Sequence, residues 1–257
     1  MVIGYDDRGS GPALVLLHPF PFSRLIWSGV GDALARHFRV IAVDARGFGV
    51  TPLPPGRTTI ADQADDLAAL LDQLGLPRAA VLGMSMGGYT ALAFAAQHPQ
   101  RLTALVLCDT RADADAPAMR AARDGAIARI RDLGVGAYLP GSIPRLLSPA
   151  APPALHAHVL ARAEDRAASL IAGIEALRDR PDRTKDLAGI RCPALVMRGA
   201  GDQVTPAEAM QAMAAGLAGA RFVTLPGAGH LSHLEAPGPF LDALIPFLDE
   251  TLAGGDR

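Results

Sequence analysis

The sequence predicts an α/β protein: a mostly parallel sheet with helices on both faces, interrupted once by a purely helical segment. Three observations carry this. Short apolar runs alternate with helical patterns through the first 110 residues, the alternation stops between about residues 111 and 187, and it resumes from residue 188 onward. At 257 residues the chain can bury one large core.

Ala13–Leu17, Val40–Val43, Ala79–Leu82 and Leu102–Leu107 are continuous apolar runs of strand length, as expected of strands buried on both faces. A preceding edge strand is expected near Val2–Tyr5. Trp27–His37, Ile60–Leu74 and Ser85–Gln97 read as the intervening helices. The segment 111–187 supplies Ala- and Arg-rich helical stretches, Ala116–Leu133 and Ala154–Leu177, punctuated by Pro140, Pro144, Pro149, Pro152, Pro153 and Pro181. Strands return at Ala194–Met197 and Arg221–Leu225, with helices over Pro206–Ala215 and Pro239–Leu248. The expected organisation is a core in two parts, residues 1–110 and 188–257, with a helical cap inserted over residues 111–187. Such an insertion follows a strand end and would lie where open α/β sheets bind ligands.

Composition excludes several function classes. With 24 basic and 26 acidic residues, a net charge of −2 and no basic block, the chain lacks the electrostatic footprint of a nucleic-acid binder. No apolar run is long enough to span a bilayer and the first residues do not resemble a secretory signal, so a cytoplasmic protein without membrane association is expected. Cys108 and Cys192 are expected as free thiols at opposite edges of the sheet, and neither has the partners of a catalytic or metal-binding cysteine. The seven histidines form no H-E-x-x-H or related cluster, so no metal site is expected.

Chemistry concentrates at the strand ends. Gly83-Met84-Ser85-Met86-Gly87-Gly88 seats a serine where a buried strand must turn abruptly into a helix, and the flanking glycines remove side chains where the two elements crowd. In a glycine-rich chain this short pattern can arise by chance, so partners decide. Asp202 follows one later strand in Gly201-Asp202-Gln203-Val204-Thr205-Pro206; His230 follows the last strand in Pro226-Gly227-Ala228-Gly229-His230. A nucleophilic serine needs a base and an orienting carboxylate, and the chain order Ser85, Asp202, His230 supplies them. His233 competes for the base role but follows Ser232 at a helix start, which favours His230; Asp109, at an earlier strand end, is the reserve carboxylate. For an oxyanion the expected donors are the Met86 amide at the helix start and the Phe20 amide in His18-Pro19-Phe20-Pro21-Phe22, where the prolines have no N–H to offer.

Together His18-Pro19-Phe20-Pro21, Asp44-Ala45-Arg46-Gly47-Phe48-Gly49, the Ser85 turn, Gly201–Pro206 and Gly229-His230 resemble the α/β-hydrolase superfamily nearly from end to end. Within it the chain is similar to capped serine esterases, enol-lactonases and non-haem perhydrolase-like members. The resemblance implies a three-layer fold with an eight-stranded sheet, a cap between strands six and seven, and no required cofactor. Where such proteins commonly have His-Gly, this chain has His18-Pro19, which stiffens the loop. Dehalogenase-like and epoxide-hydrolase-like relatives carry aspartate where this chain has Ser85, so acyl chemistry is favoured.

The expected activity is hydrolysis of a small or medium carboxylic ester through an acyl-enzyme. A carboxylated enol-lactone, carbon–carbon bond hydrolysis and perhydrolysis use the same three residues, and a non-enzymatic receptor on this scaffold is the alternative from another class. Trp27, Met84 and Leu139 are expected to line an apolar pocket with Phe20 and Met86. Arg46 is expected to brace its loop by a salt bridge. Arg120, Arg123, Arg129, Arg131 and Arg145 read as a solvated cap face that could alternatively attract a carboxylated lactone. The expected partner is the small-molecule substrate alone, on a monomer or homodimer.

Overall fold

A computed structural model describes residues 2–252. Seven strands form one sheet: β1 (Tyr5–Arg8), β2 (Ala13–Leu17), β3 (Arg39–Val43), β4 (Ala79–Met84), β5 (Leu102–Cys108), β6 (Ala194–Gly199) and β7 (Arg221–Leu225). Their spatial order is β1-β3-β2-β4-β5-β6-β7. Only β1 is antiparallel to its neighbour; every other pairing is parallel.

The expected eighth strand is absent among the described residues. Pairing begins at Tyr5 rather than Val2, and Gly9 and Gly11, at φ 77° and 97°, turn the chain directly from β1 into β2. The helical insertion therefore falls between the fifth and sixth strands. Cys108 ends β5 and Cys192 precedes β6; both are free thiols, at opposite strand ends of neighbouring strands rather than at opposite edges of the sheet.

Ten α-helices occur among the described residues. Four from the core are α1 (Ser28–Leu34), α2 (Ile60–Gln73), α3 (Met86–Gln97) and, after the insertion, α8 (Ala207–Gly216). The insertion carries α4 (Pro117–Leu133), α5 (Val135–Ser142), α6 (Pro153–Leu160) and α7 (Ala167–Arg178); α9 (Ser232–Glu235) and α10 (Pro237–Leu252) close the described chain. Alternate strand residues serve opposite faces. Leu14, Leu16, Leu82 and Val106 pack with Val30, Phe240 and Leu244, whereas Val15, Val81 and Leu105 pack with Leu67, Leu71, Phe94 and Met210. α2 starts on a capping box: the Asp62 N–H donates to Thr59 Oγ1 at 3.1 Å, and the Thr59 N–H donates to Asp62 Oδ2 at 2.8 Å.

The expected helix over 154–177 is two helices, with a break at 161–166. That stretch, Ala-Arg-Ala-Glu-Asp-Arg, contains good helix formers, so the break has a tertiary cause. The Glu164 N–H donates to the Pro21 carbonyl at 2.7 Å, and Arg166 donates to the carbonyls of Gly47 and Gly49, each at 3.0 Å. These bonds fasten the insertion to two loops of the core. At its root, Arg180 is buried between Asp115, at 2.6 Å, and the Tyr89 ring of α3, 4.1 Å from its centroid.

The chain leaves β2 toward β3 on one side and returns to β4 on the other. This reversal opens a crevice at the carboxyl ends of β2 and β4, the place where open parallel sheets accept ligands.

Candidate active site

Ser85 occupies the one-residue bend between β4 and α3 at φ 51° and ψ −111°, a left-handed conformation rare for a residue with a side chain. The strain is held from several directions. The Ser85 N–H donates to the Cys108 carbonyl at 2.9 Å, and its carbonyl accepts from the amides of Gly88 at 2.9 Å and Tyr89 at 3.1 Å and from Thr110 Oγ1 at 2.9 Å.

Two glycines make the bend possible. A Cβ at Gly83 would overlap the Gly87 carbonyl, and one at Gly87 would overlap the Leu17 carbonyl. Without side chains there, the start of α3 lies against the end of β2. The Met86 amide thereby comes beside the loop that follows β2.

That loop contains the second expected donor. His18 is buried, its Nε2 accepts from the Ala45 N–H at 3.0 Å, and its Nδ1–H donates to the Pro19 carbonyl at 3.0 Å. Burial holds the imidazole below its ordinary pKa, against smaller opposing effects from the Pro19 bond and nearby carboxylates. The neutral ring therefore pins Pro19 to the loop after β3. Phe20 sets its ring edge-on to Phe48, 5.9 Å between centroids, and α7 passes so close that a Cβ at Gly173 would crowd both rings. Among the described residues, no acceptor takes the N–H of either Phe20 or Met86.

Asp202 and His230 meet after β6 and β7. His230 Nδ1 lies 3.0 Å from Asp202 Oδ2, and both side chains are almost fully buried. Asp202 Oδ1 accepts from the amides of Val204 at 2.8 Å and Thr205 at 3.2 Å, so the carboxylate is fixed on both oxygens. Burial alone would raise the Asp202 carboxyl, but the charge and hydrogen bond of His230, with the two amides, bring it below the ordinary carboxylate value. For His230 burial works downward, and the charge and hydrogen bond of Asp202 overturn it, leaving the imidazole above its ordinary value. Among the described residues no hydrogen bond joins Ser85 Oγ to His230.

The remaining candidates separate. His233 is buried with Nε2–H donating to the Ile26 carbonyl at 3.2 Å, its ring centroid 4.5 Å from that of Trp27. Burial, only partly offset by that bond, lowers its pKa to about 3, so it is a neutral core residue. Trp27 packs in the core against it, and Met84 is a fully buried strand residue. Leu139 is buried in the same apolar cluster as Trp27 and Met84, which joins the insertion to one face of the sheet. Arg46 braces its loop through Asp66, with Asp62 at 3.7 Å.

Thr110 escaped the sequence reading, and Asp109, the reserve carboxylate, takes a different part from the expected one. Asp109 does not contact His230 but accepts from Gly199 and Ser232, and Thr110 holds the Ser85 carbonyl. A polar Asp-Thr pair directly after a buried strand was the available signal. Of the cap arginines, Arg120 pairs with Asp179 at 3.1 Å, Arg131 with Glu175 at 3.7 Å and Arg123 with the buried Asp115; Arg123, Arg129 and Arg145 also line a cavity of about 430 Å3 formed by insertion residues alone, Tyr138 and Ser142 among them. Among the described residues no cluster of His, Cys, Asp or Glu could hold a metal ion, and no helix is long and apolar enough to cross a membrane.

The chain is similar to known proteins over nearly its whole length. A family model described as alpha/beta hydrolase fold matches residues 12–147, and one described as TAP-like protein matches residues 163–245. A thermophilic esterase from Thermogutta terrifontis, solved with malate bound, superimposes with a TM-score of 0.92 at 36% identity over 97% of this chain and 93% of that one. The enol-lactonase from Burkholderia xenovorans LB400 gives a TM-score of 0.88 at 30% identity over 96% of both chains. A Caulobacter sp. (strain K31) protein named "Putative carbamate hydrolase RutD" is 33% identical over 263 residues, spanning 95% of each chain.

Proposed function

The chain belongs to the α/β-hydrolase family and is a hydrolase, and from that premise we propose that it cleaves small or medium carboxylic esters through Ser85, His230 and Asp202. One observation carries the reading: a serine held in a strained bend shares a sheet edge with a buried Asp202–His230 pair whose polarity suits a general base.

Asp202 Oδ2 accepts the Nδ1 proton of His230, leaving Nε2 with its lone pair free. Ser85 Oγ attacks the ester carbonyl as His230 Nε2 takes its proton. The oxyanion of the tetrahedral intermediate accepts hydrogen bonds from the Met86 and Phe20 amides, which have no other acceptor among the described residues. Collapse breaks the bond to the leaving alcohol, which departs with the proton from His230. Water, deprotonated by the same imidazole, then attacks the acyl-enzyme and releases the acid and Ser85. No step calls for a cofactor.

Residues 111–187 act as a cap over this edge, held by Glu164 and Arg166 beside the Phe20 loop. Arg129 and Arg145 on the insertion, which have no carboxylate partner among the described residues, favour a second reading, an ester or enol-lactone bearing a carboxylate. The test is a panel of neutral acyl esters, carbamates and carboxylated lactones, with the Ser85→Ala variant as blank. Ester turnover that vanishes in the variant supports the first reading, and a marked preference for carboxylated lactones selects the second. Undiminished turnover by Ser85→Ala removes both.

A further inference from the structure

Asp109 is fully buried, ionisable and left-handed at φ 46°, yet none of the steps above uses it. A residue with a side chain is held in that conformation only when its surroundings over-determine it. Those surroundings are the three loops that carry Ser85, Asp202 and His230.

The Asp109 N–H donates to the Met197 carbonyl at 3.0 Å, aligning the ends of β5 and β6. Its Oδ1 accepts from the Gly199 N–H at 2.7 Å, and its carbonyl accepts from Thr205 Oγ1 at 3.2 Å, so both flanks of the Asp202 loop are tied to it. Its Oδ2 accepts from Ser232 Oγ at 2.6 Å, two residues beyond His230. The residues on either side complete the corner, since Cys108 and Thr110 hold the amide and carbonyl of Ser85.

We propose that Asp109 is a positioning residue for His230, its carboxylate locking the acid and base loops onto the strand end that holds Ser85 while its charge acts on the imidazole. The proposal rests on the serine-hydrolase reading for its catalytic meaning, but the contacts stand without it. Two oxygens with a hydrogen bond each fix position, and a second buried carboxylate behind the Asp202–His230 pair makes the local field more negative.

The charged and titratable groups facing this carboxyl are Asp202 from the loop after β6, His230 from the loop after β7, and the adjoining Cys108 thiol; His230 is faced in addition by Glu235 of α9. Burial and then the Asp202 charge raise the Asp109 carboxyl to about 7, against the pull of His230, Ser232 and Gly199. Ionised Asp109 favours the imidazolium of His230, and protonated Asp109 withdraws that support. The protonation of the imidazole and of this carboxyl are therefore linked.

The test uses the intact protein and two variants. Asp109→Asn keeps the size and an acceptor for Gly199 but removes the charge; Ser232→Ala cuts the tie to the base loop. The His230 titration midpoint, followed by NMR of the labelled imidazole, is expected to fall in Asp109→Asn. In both variants kcat for an ester is expected to drop about tenfold or more with KM within about twofold. An unchanged midpoint in Asp109→Asn overturns the electrostatic part. Unchanged kcat in both variants overturns the positioning part, whatever happens to Tm. Should Asp109→Asn fail to fold, the kcat and KM of Ser232→Ala still decide the positioning part, and its His230 midpoint decides the electrostatic part: loss of the Ser232 bond raises the Asp109 carboxyl, so the midpoint is expected to fall, and an unchanged midpoint overturns that part. The midpoint requires no turnover, so failure of the esterase reading remains distinguishable from failure of this one.

Discussion

The carboxyl edge of the sheet and the helical insertion are held by different forces. At the edge, Ser85, Asp109, Asp202 and His230 are fixed by short bonds to backbone groups and by buried partners, with glycines letting backbones touch. In the insertion, arginines do much of the fastening: Arg120, Arg131 and Arg178 meet Asp179, Glu175 and Asp124 largely in solvent. Exposed pairs of this kind contribute about 0–1 kcal/mol each and are screened by salt. The difference teaches that the corner around Ser85 is built from buried, mutually satisfied groups, while the helices of the insertion add exposed charge pairs among themselves to an apolar core shared with the sheet. The buried Asp115–Arg180 pair at the root is the exception.

The sharpest way to break this contrast is at the edge. Asp202→Asn leaves the fold intact but frees His230 to take the wrong tautomer, and kcat is expected to fall by on the order of 10³–10⁴. Steady-state kinetics beside a circular-dichroism melt check that the loss is chemical rather than structural. Gly87→Ala comes next: its Cβ would overlap the Leu17 carbonyl, separating α3 from the Phe20 loop. We expect a loss of about 1–3 kcal/mol in denaturant unfolding and on the order of 100-fold in turnover.

A pH profile tests the same edge without mutation. The base must be neutral, and Asp202 holds His230 above its ordinary 6.5, so kcat/KM rises with pH through a midpoint above that value. The stability linked to His230 runs the other way, being fully present below 6.5 and lost as pH rises through the folded value. His233 has the opposite sign. Its folded value near 3 lies below 6.5, so its contribution is complete above 6.5 and is lost as pH falls toward 3. His233→Gln should accordingly flatten the acid limb of a Tm-against-pH curve.

The smallest effect belongs to the insertion. Arg166→Ala removes the bonds to Gly47 and Gly49 from a half-exposed side chain. Stability should change by no more than about 1 kcal/mol, whereas KM for bulky esters should move several-fold with kcat nearly constant. A large kcat effect here would erase the distinction between the two regions.

The same contrast explains what the sequence made legible. Apolar runs such as Leu14–Leu17 and Val81–Leu82 are short, continuous and bounded by glycine or proline, so strands and the loops after them could be placed, and with them Ser85, Asp202 and His230. The edge strand was displaced to Tyr5–Arg8 because two polar aspartates, Asp6 and Asp7, carry its pairing. Inside the insertion, α5 and the break between α6 and α7 were invisible. Residues 161–166 favour helix locally, and partners far away in sequence, the carbonyls of Pro21, Gly47 and Gly49, hold the break. The contact of Trp27 with His233 was equally hidden, since it joins residues far apart in the sequence.

Covalent capture tests the central claim most directly. Incubation with a fluorophosphonate, followed by peptide mass spectrometry, should place a single phosphonyl adduct on Ser85, formed far more slowly in Asp202→Asn and not at all in Ser85→Ala. An adduct elsewhere, or ester hydrolysis that continues in the fully labelled protein, would contradict the account.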